Sequence, residues 1–219
     1  MNLIIIFCNV GSSLSKKLLP NNSLLSFSDY LPNSIANSFV CETITELEVY
    51  NAAVKFAAKS SAGPDVFSAK LILDVSSSII PILCKIYNLS LESGIFPSEL
   101  KISKVIPIFK KGERTEMGNY RPISLIKTFS KIFEYIVASR VNSFFTKYNL
   151  FYEYQFGFRS KYSTNLALLN TVDDIMSLLD QKSYVAGIFF DLSKAFDSID
   201  HNILLKKLYY YGVRGQMHS

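Results

Sequence analysis

An apolar run ends in an aspartate in the stretch IFFDLSKAFDSIDH at 188–201. The pattern predicts a buried strand ending at Asp191, where a carboxylate is costly unless it is hydrogen-bonded, paired or bound to a metal. Magnesium prefers hard oxygen ligands plus phosphate oxygens, and two-metal enzymes use such sites for in-line displacement at phosphorus. Asp191 is therefore a candidate metal-binding residue, and capping of the following turn is the alternative.

The neighbouring acidic residues are assigned to other roles. A calcium-binding loop starting at Asp191 would need an oxygen ligand at its fifth position and glycine at its sixth, but Ala195 and Phe196 stand there. The pair Asp173–Asp174 precedes this stretch and falls in a predicted helix. Asp197 and Asp200 are expected to cap and orient the turn and the helix that follow.

The segment 101–131 carries a concentration of positive charge. Its eight basic residues oppose only two acidic ones, Glu113 and Glu116, so its net charge of +6 exceeds the +5 of the whole chain. A solvated loop and a phosphate-binding surface both explain such a segment. The basic residues are Lys101, Lys104, Lys110, Lys111, Arg114, Arg121, Lys127 and Lys131.

Composition indicates a globular, intracellular protein. Of the 219 residues, 49% are hydrophobic and 19% are charged, which favours a packed core over disorder. The three cysteines (Cys8, Cys41 and Cys84) are widely spaced and odd in number, which indicates reduced thiols and neither a zinc site nor a disulfide framework. The apolar start LIIIFC is too short to span a membrane, so we expect a buried segment and no membrane partner.

The periodicity of apolar residues predicts the elements that carry these side chains. Thr45 and Glu48 form a capping box that begins a helix over 45–59, and after a turn at 60–65 a second helix follows. An apolar helix is predicted over 77–92, ending at Gly94. Residues 104–125 are predicted to form a hairpin-like β unit, in which Pro107 indicates an edge strand.

The second half of the sequence predicts three helices and one central strand. A long amphipathic helix is expected over 124–148, and a helix capped by Ser163 or Thr164 follows. Residues 183–191 predict a strand that is apolar on both faces. A final helix is expected from about His201 to Gly212.

Five stretches, in this order, resemble the reverse transcriptases of non-LTR (LINE-type) retrotransposons. They are KSSAGPD, KVIPIFKKG, NYRPISLIKTFSKIFEYIVASRVNSFF, YQFGFRSKYST and GIFFDLSKAFDSIDHNILLKKLYYYGVRG, and IIIFCNVGSSLSKKLLP resembles the segment preceding that polymerase. The resemblance implies an α+β fold: part of a right-hand polymerase, with the fingers and the beginning of the palm, helix-rich with a few short strands and truncated before motifs B and C. It implies a pre-polymerase extension over 1–40 and a partial polymerase domain over 41–219.

The resemblance also implies residue roles. Asp191 matches the first catalytic aspartate, which binds both magnesium ions, and the carbonyl of Leu192 is a further metal contact. Phe196 matches the bulky residue that favours deoxynucleotides, with a core aromatic as the alternative. Lys110 and Arg121 match the residues that grip the incoming triphosphate, where fixed cations stabilise developing charge. The alternatives are that both are exposed loop cations and that Lys111 takes the place of Lys110.

A second set of residues is implied to lie near nucleic acid. Arginine and aromatic side chains in such a loop stack on bases or meet phosphates, and a packed turn is the alternative. The set comprises Lys111, Gln155, Phe158, Arg159 and Lys161.

The implied function is RNA-directed DNA polymerisation with Mg²⁺, using an RNA template, a DNA primer and deoxynucleoside triphosphates. The family's paired aspartates do not occur between Asp191 and Ser219, and loss of one essential member of a catalytic unit removes most of the catalysis. We therefore expect no useful polymerase activity from the isolated chain and leave its status as an enzyme open. A non-catalytic nucleic-acid-binding remnant is the alternative. Nuclear action is implied by the family alone, and no protein partner is indicated.

Overall fold

The computed structural model describes residues 34–58, 63–64, 67–192, 195–196 and 198–215. The expectations for LIIIFC, for most of the turn at 60–65 and for Asp197 lie outside the described residues. The main elements are α1 (Glu46–Ala57), α2 (Ala69–Asp74), α3 (Ser76–Ser93), β1 (Ser103–Phe109), β2 (Tyr120–Ile126), α4 (Thr128–Lys147), α5 (Thr164–Asp180) and α6 (His201–Tyr210).

This helix-rich architecture with one small sheet agrees with the expected α+β class. No helix in the described ranges is long and apolar enough to cross a membrane.

The ends of the helices confirm several expectations from the sequence. Thr45 caps α1 in a capping box with Glu48, since each accepts a backbone hydrogen bond from the other. Helix α3 ends at Gly94, whose φ of 69° is left-handed. Ser163 caps α5, and Asp200 caps α6 by accepting hydrogen bonds from the next turn.

The strands β1 and β2 form the expected hairpin. They pair antiparallel from Ser103 opposite Ile126 to Phe109 opposite Tyr120. Pro107 is tolerated because each strand of a two-stranded sheet is an edge strand. The expected start of the long helix at residue 124 is wrong: residues up to 126 continue the pairing with β1, so α4 begins at Thr128.

The chain divides into two compact units. Unit 1 comprises residues 1–144 and 196–219, and unit 2 comprises residues 145–195. The core of unit 1 forms where α1, α2 and α3 pack with the first half of α4. The ring of Tyr87 stacks on Phe133 at a centroid distance of 4.7 Å, and Phe96 stacks on the same ring at 5.5 Å.

An N-terminal segment, residues 35–45, is fixed to unit 1 at several points. The amide of Phe39 donates to the carbonyl of Gly212 at 2.8 Å, and the guanidinium of Arg214 donates to the carbonyl of Ile35 at 2.6 Å. The side chain of Asn88 bonds both backbone groups of Ile44. These contacts join residues 35–45 to distant parts of the same unit.

Arg140 holds the same segment from α4. Its guanidinium forms an ion pair with Glu48 at 2.9 Å and donates to the carbonyls of Glu42 and Thr43. Partial burial acts to raise the pKa of Glu48, but hydrogen bonds from the Thr45 backbone and from Arg140 outweigh it, so this pKa lies below its ordinary value.

Unit 2 contains α5 and the loops on either side. None of its described residues is buried. The expected central strand over 183–191 is wrong: residues 183–192 form no strand, and Phe189 and Phe190 are 92% and 88% exposed. A strand needs a partner for its backbone groups, and within the described residues β1 and β2 pair with each other alone.

Candidate functional site

The hairpin places Lys110 and Arg121 on one face. Arg121 lies opposite Ile108 in the register, and Lys110 follows Ile108 by two positions. The amide of Lys110 donates to the carbonyl of Asn119 at 2.8 Å, so the ladder extends to this residue. Because alternate residues share a face, the two cations are diagonal neighbours, about 7–8 Å apart at Cα. Lys111 lies beyond these paired residues, and the assignment of the triphosphate contact to Lys110 stays a prediction.

The same face of the hairpin exposes a row of isoleucines. Ile106, Ile108 and Ile123 are 36%, 52% and 41% exposed, and they share the alternation of Lys110 and Arg121. An apolar row that ends in two exposed cations suits a ligand with an apolar part and an anionic part. A nucleotide has both.

The turn of the hairpin is ordered by its own hydrogen bonds. The Asn119 side chain donates to the carbonyl of Glu113 at 2.9 Å, and the Tyr120 hydroxyl donates to the carbonyl of Arg114 at the same distance. The Arg114 guanidinium lies 5.4 Å from the centre of the Phe109 ring. Arg114 is therefore engaged within the turn, whereas no such contact is recorded among the described residues for the side chains of Lys110 and Arg121.

The loop over 151–162 uses Arg159 internally. Its guanidinium lies 3.9 Å from the centre of the Tyr162 ring and donates to the carbonyls of Tyr152 and Gln155. Phe158 is 90% exposed with φ of 60°, and Lys161 is exposed with φ of 68°. Of the residues expected near nucleic acid, Phe158 and Lys161 thus present their side chains to solvent, while Arg159 and Gln155 organise the loop.

Asp191 and Leu192 lie beyond the last element of unit 2 and are exposed. Phe196, in unit 1, is 73% exposed, which does not match a core aromatic. Within the described ranges, no group of three or more acidic, histidine or cysteine side chains could hold a metal ion. Mg²⁺ is usually bound by one or two carboxylates together with waters and phosphate oxygens, so Asp191 and the Leu192 carbonyl could supply part of such a site.

Two residues at the start of α4 escaped the sequence analysis. Thr128 and Ser130 are 2% and 0% exposed, and their hydroxyls donate to the carbonyls of Phe67 at 2.5 Å and Leu100 at 2.6 Å. A hydroxyl at a helix start usually signals a cap. Their long-range partners become visible only in the fold.

Comparison with known proteins identifies the family. Residues 108–218 match the profile of the family described as reverse transcriptase (RNA-dependent DNA polymerase), which is just over half of the chain. The matched range begins inside β1 and includes Lys110, Arg121 and Asp191.

Individual relatives agree with this match. The chain is 32% identical over 192 residues to a probable RNA-directed DNA polymerase from transposon BS of Drosophila melanogaster, covering 84% of this chain and 21% of that protein. It is 29% identical over 189 residues to the RNA-directed DNA polymerase from mobile element jockey of the same species, covering 86% of this chain and 21% of that protein. The chain thus spans about a fifth of the length of these curated relatives. It belongs to the reverse transcriptase family, as a reverse transcriptase domain of the non-LTR retrotransposon type.

Proposed function

We propose that this chain provides the fingers and the beginning of the palm of a right-hand polymerase that copies RNA into DNA. Family membership implies nucleic-acid substrates and a divalent metal ion in general. The further proposals are an RNA template, a DNA primer, deoxynucleoside triphosphates and Mg²⁺. Nuclear action remains a prediction from the family.

The hairpin face carries this proposal. A triphosphate has several negative oxygens, and phosphoryl transfer depends on fixed cations around them. Lys110 supplies a point charge, and Arg121 supplies a fork that can bond two oxygens. The exposed isoleucines beside them would meet the sugar and the base.

Other roles are proposed on weaker support. Asp191 would contribute one carboxylate ligand, with the Leu192 carbonyl beside it, and a complete two-metal site would need at least one more carboxylate. Phe196 would act as the sugar filter. We place the start of the domain before residue 35, because the N-terminal segment packs on unit 1.

Nucleotide binding by single variants tests the hairpin. Arg121→Ala should weaken binding of a deoxynucleoside triphosphate by about tenfold or more, because a charge-assisted, bidentate contact is lost. Lys110→Ala should weaken it less. Lys111→Ala is the matched control, since Lys111 lies outside the hairpin ladder. Isothermal titration at fixed ionic strength measures all three, and equal losses for Lys110 and Lys111 would contradict the assignment.

A non-catalytic nucleic-acid-binding protein is the second candidate. The observation that favours it is the set of exposed cations on and beside the hairpin, Lys110, Lys111 and Arg121. RNA binding that weakens steeply with salt is expected from either function. Template-dependent incorporation that requires a divalent metal and disappears in Asp191→Ala would support the polymerase alone.

A further inference from the structure

The base of the hairpin is held by a set of contacts that we call the hairpin anchor. It consists of Gly63, Phe67, Leu100 and residues 126–130. All of these residues lie in unit 1, together with both strands of the hairpin.

Gly63 approaches the end of β2 more closely than any other residue type could. A Cβ at this position would lie 2.5 Å from the carbonyl oxygen of Ile126 and 2.7 Å from the Cα of Lys127. Both neighbouring atoms are backbone atoms, so they cannot rotate away as the end of a side chain can. A side chain at position 63 must therefore move either its own loop or the end of β2.

Hydrogen bonds fix the same junction from other directions. The Thr128 hydroxyl donates to Phe67 four residues beyond Gly63, and the Ser130 hydroxyl donates to Leu100 three residues before β1. The Tyr87 hydroxyl donates to the carbonyl of Phe129 at 2.8 Å. Both strands of the hairpin are thus held at their base, because buried polar groups with satisfied partners define one arrangement.

In the part of the chain that the structure describes, the hydrogen bonds at the far end of the hairpin are those of the turn itself. Residues 110–118 are all exposed, and Arg121 lies five residues, about 17 Å of strand, beyond Ile126. A small rotation at the base is therefore converted into a larger displacement at Lys110 and Arg121. The direction of these cations depends on the anchor.

We propose that Gly63 and Thr128 are positioning residues for triphosphate binding: they fix the angle at which the hairpin presents Lys110 and Arg121. This inference rests on the proposed function of those cations. Gly63 acts through the close approach to β2, and Thr128 acts through its bond to Phe67. Neither residue touches the nucleotide.

The test uses this chain and three variants. Gly63→Ala inserts an atom into the anchor, and Thr128→Val removes the hydroxyl while keeping the shape. Gly118→Ala is the control, because a Cβ at this position in the hairpin turn would meet nothing within 4 Å. Residual dipolar couplings of the amides over 104–125 report the orientation of the hairpin. Titration with dTTP and with inorganic tripolyphosphate measures the affinity for the triphosphate group.

The expected result is a reoriented hairpin in Gly63→Ala and Thr128→Val, with dTTP binding weakened about fivefold or more because the charge-assisted contacts are misplaced. Gly118→Ala should match the wild-type chain in both measurements. A merely structural role would lower the melting temperature and leave the orientation and affinity of the folded chain unchanged, which would overturn the proposal.

The two proposals can fail separately. If the wild-type chain binds neither dTTP nor tripolyphosphate, the proposed function of Lys110 and Arg121 fails. If it binds them and both anchor variants bind equally well with an unmoved hairpin, only the anchor proposal fails. Should Gly63→Ala not fold, Thr128→Val decides the question, since it adds no atom to the junction.

Discussion

Units 1 and 2 contain similar sequence patterns but differ in packing. Every buried residue that the structure describes lies in unit 1. Helix α4 buries Ile132, Phe133 and Ile136 against neighbouring helices. Helix α5 in unit 2 repeats the same kind of apolar spacing, yet Leu168, Leu169 and other apolar residues of its sequence are exposed. An amphipathic pattern thus predicts that a helix forms. Whether its apolar face is buried depends on the elements that pack against it.

The comparison of the two β-forming regions gives the same result. Residues 103–109 and 120–126 are close in sequence and form a ladder of their own. Residues 183–191 have the stronger apolar run, but they pair with no strand among the residues that the structure describes. Contiguous exposed apolar residues, such as 188–190, favour association with other protein surfaces.

Replacing matched isoleucines in the two units tests the difference most strongly. Ile132→Ala should lower the free energy of unfolding by about 3 kcal/mol, because it leaves a cavity in the core. Ile175→Ala in α5 should lower it by about 1 kcal/mol or less, because 36% of that residue is exposed. Urea unfolding measures both, and similar losses would show that α5 is covered in solution.

A smaller effect is expected from the arginine that joins the N-terminal segment to α4. Arg140→Ala should cost about 2 kcal/mol of unfolding free energy, because it breaks an ion pair and leaves backbone carbonyls unsatisfied. Arg159→Ala is the matched control in unit 2, where the guanidinium bonds exposed carbonyls, and about 0.5 kcal/mol is expected. A larger loss of unfolding free energy in Arg159→Ala than in Arg140→Ala would contradict the conclusion that side-chain contacts contribute more to stability in unit 1 than in unit 2.

The smallest effect concerns acid stability. The pKa of Glu48 is lowered in the folded chain, so its contribution to stability is complete above its ordinary pKa of about 4.5 and is lost as pH falls through the lower folded-state pKa. Glu48→Gln should therefore lower stability at neutral pH and flatten its decline below about pH 4.5. Thermal unfolding between pH 3 and 7 measures this, with Glu153→Gln in unit 2 as control. If stability declines below about pH 4.5 as steeply in Glu48→Gln as in the wild-type chain, the ion pair does not contribute as proposed.

Much of unit 1 could be predicted because its signals are local. The capping box at Thr45, the stop at Gly94 and the hairpin around Pro107 each depend on residues within a few positions. Arg140 gave no such signal, since its partner Glu48 lies 92 residues away. The two hydrogen bonds between the Asn88 side chain and the Ile44 backbone could not be predicted for the same reason.

The candidate site shows the same limit. Residue types and order made Lys110 and Arg121 candidates, but only the register placed them on one face of the hairpin. Arg159 has the right type for a phosphate contact, and its stacking on Tyr162 shows a role within the loop. The anchor residues escaped detection because a close backbone approach at Gly63 leaves no trace in composition or periodicity.

The bond from Arg214 to Ile35 joins residues 179 positions apart, which has a consequence for synthesis. Residues 35–45 leave the ribosome well before α6 exists, so their contacts with Gly212 and Arg214 form only after about 170 further residues have been translated. At about 5–20 residues per second, the early segment waits on the order of ten seconds or more. Once Asn88 and then Arg140 have been translated, they can bind the downstream end of the segment, while the contacts near Ile35 form last.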